Sequence, residues 1–261
     1  ILLMLNINAW AYNSGGELAS AIYNRPDGDN AFSIGVMKLI EKGAEPRTRH
    51  MLIFSREEND IKSSLIRFKK PEDIANTGLL TVDYTSSDKE TDQWIFLPVI
   101  KRARRISSSR KSGRFVGSDI FYEDLRDRAV DKDTHKIIGK EKVNGFDTMI
   151  LESIPKDLSD SAYSKKIAWI HEKTLLALKL ELYQNQESKP MKQILVKKIK
   201  NVQGFWTVMS SVVKDLKTEH ETHMLTNHVY YNQDIPADLF SEKYLTDPSR
   251  ENAVVKKIIA K

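Results

Sequence analysis

Between Phe32 and Tyr231 the chain keeps returning to alternation of apolar and polar residues, the period of a strand with one wet face. Before that run, Ser14 is a hydroxyl N-cap, and Leu18, Ala21 and Ile22 fall on one helical face. "RPDGDN" (Arg25–Asn30) ends this helix. Phe32, Ile34, Val36 and Ile40 then alternate with Ser33, Gly35 and Glu41, "EKGAE" is a hairpin signal, and "RHMLIFS" returns. "IKSSLIRF", "GLLTVDY" and "QWIFLPVI" read as further strands, separated by a helical turn that Pro71 opens and by the polar loop "TSSDKETD".

The second half is a meander. "HKIIGKEKVNGFDTMILESI" folds back at Asn144-Gly145, a favoured two-residue turn. "KKIAWIHE" and "LLALKLELYQ" turn near Lys173-Thr174, with Leu176, Leu178, Leu180 and Leu182 on one face and Lys179 and Glu181 towards water. "MKQILVKKIKNV" and "FWTVMSSVVKDL" flank Gln203-Gly204, "HETHMLTNHVYYN" is the last strand, and a short helix begins at Pro236. The pattern predicts a mainly β (α+β) fold: an antiparallel sheet of about ten or eleven strands, too wide for its few short helices to cover, and so curled on itself into an unclosed barrel. An incompletely filled curl is a pocket. A single domain over 12–245 and a C-terminal tail over 246–261 are expected.

Composition narrows the class. Of 261 residues, 40% are hydrophobic and 30% charged, the balance of a chain with a real core. The net charge of +5 favours anionic partners without singling out nucleic acid. With no cysteine, disulfides and thiolate metal sites are excluded. The first eleven residues are apolar, uncharged and end in Ala9-Trp10-Ala11, the look of a signal-peptide remnant with a small-x-small cleavage site. That places the protein outside the cytoplasm. No run reaches the ~18 apolar residues of a membrane span.

The candidate chemistry begins with Lys101, Arg102, Arg104, Arg105, Arg110, Lys111 and Arg114. On a strand, Arg102 and Arg104 point one way and Lys101 and Arg105 the other, so there is no single basic comb for a nucleic-acid groove. Phe115, Phe121 and Tyr122 lack the spacing of a base-stacking platform. A salt-bridged edge, lipid phosphates and an acidic partner remain open. Asp119, Glu123 and Asp124 are suited to pair with the arginines before them. His220 and His223 of "HETH" fall on opposite strand faces and do not form a zinc motif. Ser107, Ser108, Ser109 and Ser118 have no G-x-S-x-G elbow around them. "DGDN" lacks the downstream Glu of a calcium loop. No catalytic residue, metal site or cofactor is assigned.

The stretch Asp92–Leu125, "DQWIFLPVIKRARRISSSRKSGRFVGSDIFYEDL", resembles a signature of the outer-membrane lipoprotein-sorting proteins, relatives of the periplasmic carrier LolA. The matching residues are Asp92, Gln93, Trp94, Leu97, Pro98, Arg104, Arg105, Ile106, Ser107, Gly117, Ser118, Asp119, Tyr122, Glu123 and Asp124. "RPDGDN", "ILESIPKD", "YSKKIAWI" and "DLF" extend the likeness along most of the chain, and Ile120-Phe121 departs from the usual Phe-Thr or Phe-Ser. The resemblance implies a LolA/LolB-like barrel lidded by helices over a hydrophobic cavity. It implies transport of lipid or lipoprotein acyl chains across the periplasm, with an inner-membrane exporter of the resistance-nodulation-division type and the outer membrane as partners. A sixteen-carbon chain exposes roughly 12 kcal/mol of unfavourable surface to water at ~0.8 kcal/mol per methylene, so a carrier needs an apolar lining and no catalytic group. Phe32, Ile34, Val36, Leu52, Phe54, Trp94, Phe96 and the Leu176, Leu178, Leu180, Leu182 ladder are the candidate lining. Arg104, Arg105, Ser107, Gly117, Ser118, Asp119, Tyr122, Glu123 and Asp124 are candidates for head-group contact or docking. Two rivals stand beside the carrier: a lipid hydrolase using the same pocket, and a docking protein of an envelope exporter.

Overall fold

The computed structural model describes residues 12–86, 88–185 and 187–260. The expected leader remnant, 1–11, lies outside them. Alternation becomes one thirteen-stranded antiparallel sheet rather than ten or eleven strands. Its strands are β1 (Asn30–Ile40), β2 (Arg47–Glu58), β3 (Ile61–Lys70), β4 (Gly78–Tyr84), β5 (Asp92–Leu97), β6 (Arg102–Arg105), β7 (Asp133–Val143), β8 (Phe146–Pro155), β9 (Lys165–His171), β10 (Ala177–Tyr183), β11 (Lys192–Val202), β12 (Phe205–Asp215) and β13 (Glu221–Tyr231). The order across the sheet is β6-β5-β4-β3-β2-β1-β13-β12-β11-β10-β9-β8-β7. Two meanders therefore meet at a β1–β13 seam, β6 and β7 are the free edges, and the barrel is unclosed. The strand that none of the segments read from the sequence anticipates is β6, four residues of the basic run.

The side to which the sheet curls follows from cross-sheet pairing. Strands β3 and β7 are nine places apart, about 43 Å in a flat sheet at ~4.8 Å per strand. Yet consecutive residues of the β6–β7 connection reach both: Asp127 pairs with Lys62 of β3 at 3.2 Å, and Arg128 Nε donates to Asp133 of β7 at 2.8 Å. The face carrying Lys62 is thus the concave one. By strand parity it also carries Met37, Met51, Ile66, Phe68, Leu79 and Ile95.

Helix α1 (Gly15–Tyr23) starts as expected at Ser14, whose hydroxyl accepts from the Glu17 amide. It buries Leu18 and Ala19 against Met149, Leu151 and Ile170 on the concave side. The approach is so close that a Cβ on Gly15 would sit 2.4 Å from the His135 carbonyl carbon. Among the described residues no helix is long and apolar enough to cross a membrane.

On the convex face, helices α2 (Glu242–Leu245) and α3 (Pro248–Ile259) cover Phe32, Leu52, Phe54, Leu65, Leu80 and Phe96. The range 246–261, expected as a C-terminal tail, contains α3. Asp247 caps α3, Pro248 opens it, and Glu251, Val254 and Ile258 are buried. Arg67, fully buried on β3, donates from Nε to both Glu251 oxygens at 2.9 and 3.0 Å and also binds the carbonyls of Asn76 and Leu245. Its guanidinium lies where a Cβ on Gly78 would be 2.5 Å from Nη1, so position 78 has room only for glycine while Arg67 stays.

Candidate functional site

The connection from β6 to β7 must cross the whole sheet, because it joins the two free edges. It does so along the concave face, as a strap over residues 106–132. Phe115 and Ile120 are its buried apolar anchors, packed with Met37, Leu39, Met51, Ile66, Phe68, Leu79, Ile95 and Val213. Tyr122 meets the Phe115 ring edge-on at 5.9 Å.

The strap is tied down by its polar residues, each to a different strand. Asp119, with almost no exposed surface, accepts from Arg114 at 2.7 Å and from the Thr222 hydroxyl of β13 at 2.8 Å, and lies 2.6 Å from His220 Nδ1. Arg114 also pairs with Asp215 of β12. Glu123 binds Lys166 of β9 at 2.9 Å and the Ser161 hydroxyl at 2.6 Å. Burial pushes the Glu123 pKa up, but Lys166, the Ala162 amide and Ser161 outweigh it and hold the carboxyl below its usual range. Asp124 accepts from Lys192 of β11 at 2.8 Å and from the Tyr163 hydroxyl at 2.6 Å. Burial lowers the Lys192 pKa and Asp124 opposes that shift. Arg49 of β2 and Gln93 of β5 donate to strap carbonyls, those of Val116 and Tyr122.

The motif residues expected to meet a head group or a partner therefore have these places. Ser118, Asp119, Glu123 and Asp124 are buried or nearly so and turned to the strap's own anchoring. Ser118 bonds the Phe115 carbonyl at 2.7 Å, and Gly117 closes the 3-10 turn Phe115–Gly117. Arg105 pairs with Asp92 across β5–β6, Arg104 is exposed, and the Ser107 hydroxyl lies 2.9 Å from that of Ser109. The expected pairing of arginines with "GSDIFYED" is found for Arg114 and Asp119.

The eleven candidate lining residues do not share one space. Phe32, Ile34, Val36, Leu52, Phe54, Trp94 and Phe96 lie by parity on the convex face, and all but Val36 pack beneath the C-terminal helices. Phe32 and Phe54 stack with ring centroids 4.9 Å apart. The leucine ladder is broken by a bulge between Ala177 and Lys179. Leu176 and Leu178 join Trp169 and Val196, while Leu182 joins Phe121 and Tyr163 under the strap, and Leu180 is half-buried opposite Ile194. The residues that do face the strap, from Met37 to Ile95, have the same alternation in the opposite phase. Sequence reasoning also missed Arg67 with Glu251. The signal for it was an arginine in phase with Leu65, directly beside the apolar Ile66 and Phe68 of the other face.

A cavity of about 410 Å³ opens on the concave face beside the strap, lined among others by Arg25, Lys62, Asp83, Arg126, Asp127 and Tyr231. Asp83 accepts from the Asp127 amide at 2.8 Å and the Thr91 hydroxyl at 2.6 Å. Burial pushes its pKa up from 3.8 to about 6. The folded protein then holds this proton more tightly than the unfolded chain, so the stability Asp83 contributes is complete below pH 3.8 and lost as pH rises through 6. Relative to Asp83→Asn, the wild type is expected to lose about 2–3 kcal/mol between pH 4 and 7. Urea midpoints of the two proteins across that range check this; parallel pH profiles would contradict it. Among the described residues no three His, Asp or Glu side chains are grouped to hold a metal ion. His220 and His223 turn to Asp119 and Glu221 respectively.

The fold of the curled, unclosed antiparallel sheet is shared with a solved member of the LolA superfamily. A LolA superfamily protein from Nitrosomonas europaea superposes with a TM-score of 0.68 at 16% identity, covering 89% of this chain and 100% of its own. Residues 60–247 match a family model described as an uncharacterised protein. A putative outer membrane lipoprotein-sorting protein domain from Vibrio parahaemolyticus is 29% identical with a TM-score of 0.83, over 89% of this chain and 98% of that one. A DUF1329 family protein from Desulfovibrio piger is 27% identical with a TM-score of 0.84, over 88% and 97%. No curated protein matches the chain. The chain belongs to the outer-membrane lipoprotein-sorting protein family.

Proposed function

We propose that this protein binds acyl chains of a lipid or lipoprotein on the concave face of its sheet and carries them through the periplasm of the cell envelope. The observation that carries this reading is the nature of the cover. The concave wall of Met37, Leu39, Met51, Ile66, Phe68, Leu79 and Ile95 is apolar, but the strap over it is fixed largely by hydrogen bonds and ion pairs. Such anchors can exchange for water when the strap lifts. An acyl chain then takes the place of Phe115 and Ile120 against the wall, at ~0.8 kcal/mol per buried methylene. The relative from Vibrio parahaemolyticus, a putative outer membrane lipoprotein-sorting protein domain, supports the same cargo class. The finer partners are an inner-membrane exporter of the resistance-nodulation-division type and the outer membrane, with exposed Arg104 as the motif cation left to meet them. No catalytic step is required.

Protein purified from its own envelope is expected to show bound lipid by native mass spectrometry. After delipidation it should take up a fluorescent fatty acid with saturation at one or a few sites. Folded, delipidated protein that binds no acyl probe would exclude the carrier reading.

A further inference from the structure

The concave wall changes character in one step, at the same level on four strands, β2 to β5, and Ser33 of β1 stands opposite Ile53 just across it. Register places Ser55, Ser64, Thr81 and Gln93 in one row across β2, β3, β4 and β5, next to Ala31 of β1. The row outside it is Glu57, Lys62 and Asp83. The next row inward is Ile53, Ile66, Leu79 and Ile95, continued by Met51 and Phe68. Rows on one face are two residues, about 6.7 Å, apart. A greasy wall thus abuts a polar wall along a line running across the strands, and the 410 Å³ cavity lies on the polar side of that line. Resting on the acyl-carrier reading above, we infer that the cavity receives the head group of a single amphiphile whose chain runs along the apolar rows, and that this head is net-neutral and hydrogen-bonding, a zwitterion or a polyol.

The charge class follows from what the cavity offers. Its cations are largely committed. Arg25 binds the carbonyls of Pro26 and Trp206, Lys62 binds Asp127 and the Tyr23 carbonyl, and Arg56 binds Glu58 and the Ile235 carbonyl. Five carboxylates, those of Asp27, Asp29, Glu57, Asp83 and Asp127, also line it. Arg126, whose Nη2 donates to the Thr91 hydroxyl, brings the lining cations to four against five carboxylates, so a net-anionic head would face a wall with an excess of acid. The remaining free groups are mostly neutral. Among the described residues the hydroxyls of Ser33, Ser55 and Ser64 line the cavity without a hydrogen-bond partner in the protein. Each can donate once and accept twice. Arg126 adds a buried Nε–H without an acceptor. The charged and hydroxyl lining, rather than the volume, disfavours a second acyl chain here.

Displacement of a fluorescent acyl probe from the delipidated protein tests this with four competitors of equal chain length. Lysophosphatidylethanolamine and an alkyl glycoside carry neutral heads; lysophosphatidic acid and the free fatty acid carry anionic ones. At least one neutral-headed competitor is expected to bind about tenfold more tightly than both anions, the effect of two or three neutral hydrogen bonds. Which of the two it is separates a zwitterion from a polyol. The triple change Ser33→Ala, Ser55→Ala, Ser64→Ala should shrink that preference several-fold and leave uptake of the free fatty acid unchanged. Equal affinities, or preference for an anion, would overturn the head-group assignment while acyl binding stood. Failure of all four to displace the probe would show that probe binding does not report this site and would overturn it as well. A protein that never took up the probe would instead remove the carrier reading beneath it.

Discussion

Replacing Arg67 with Met is expected to cost about 3–5 kcal/mol and to release the C-terminal helix from the sheet. Arg67 and Glu251 are both fully buried, so removing the cation leaves a carboxylate in an apolar layer among Phe96, Leu80 and Val254. Burial already pushes the Glu251 pKa up and Arg67 opposes that, so without Arg67 the carboxyl must be neutral for α3 to stay docked. The Arg67→Met protein should therefore recover part of its loss as pH falls. Two more ties go with the guanidinium, those to the carbonyls of Asn76 and Leu245. Urea unfolding measures the loss, and hydrogen exchange over 248–259 locates it. The double change Arg67→Met, Glu251→Leu should restore most of the stability, because a buried pair and an apolar pair are often near equivalent in energy. An Arg67→Met protein as stable as wild type, or one whose α3 exchanges no faster, would refute the role given to this pair.

The second large effect is expected at Asp119. Asp119→Ala removes the acceptor shared by Arg114, Thr222 and His220. Arg114 keeps Asp215 and is partly exposed, so the loss is smaller than for Arg67, about 2–4 kcal/mol. Its position differs too. Asp119 ties the middle of the strap to the β12–β13 side, and Phe115 and Ile120 beside it cover the apolar wall. Amide protection over 113–124 should fall more than protection in β2 and β3, and uptake of an acyl probe should become faster. Asp119→Asn keeps one acceptor and should lie between the two. Faster global unfolding with no selective loss of protection in the strap would mean that Asp119 supports the fold without governing the cover.

Strands were legible because one wet face imposes period two, and Asn144-Gly145 and Gln203-Gly204 mark their turns by backbone conformations that other residues adopt at a cost. The family was legible because "GSDIFYED" is a run of special residues. The reason for the run was not. Asp119, Glu123 and Asp124 each hold a strand more than thirty residues away in sequence, and no local pattern encodes such partners. The concave face was invisible for a similar reason. A strand buried on both sides offers two apolar phases, and Phe32, Leu52 and Phe54 were the larger residues on the wrong side of the sheet for a cavity. The helix α3 was missed because "PSRENAVVKKII" is mostly polar. Its cap Asp247, its Pro248 and the stripe Glu251, Val254, Ile258 are the signals that were there to read.

An unclosed barrel leaves two rows of unpaired backbone groups, and each is an invitation to another copy. Strand β6 answers with brevity and charge: four residues, three of them arginine. Strand β7 carries Lys136, Lys140 and Lys142 along its length. Laying one molecule's β6 against another's β6 or β7 would stack cations opposite cations, which is unfavourable for every such pair. The basic run of the family motif thus keeps a permanently open sheet from growing into a fibre, a service to solubility that asks nothing of any ligand.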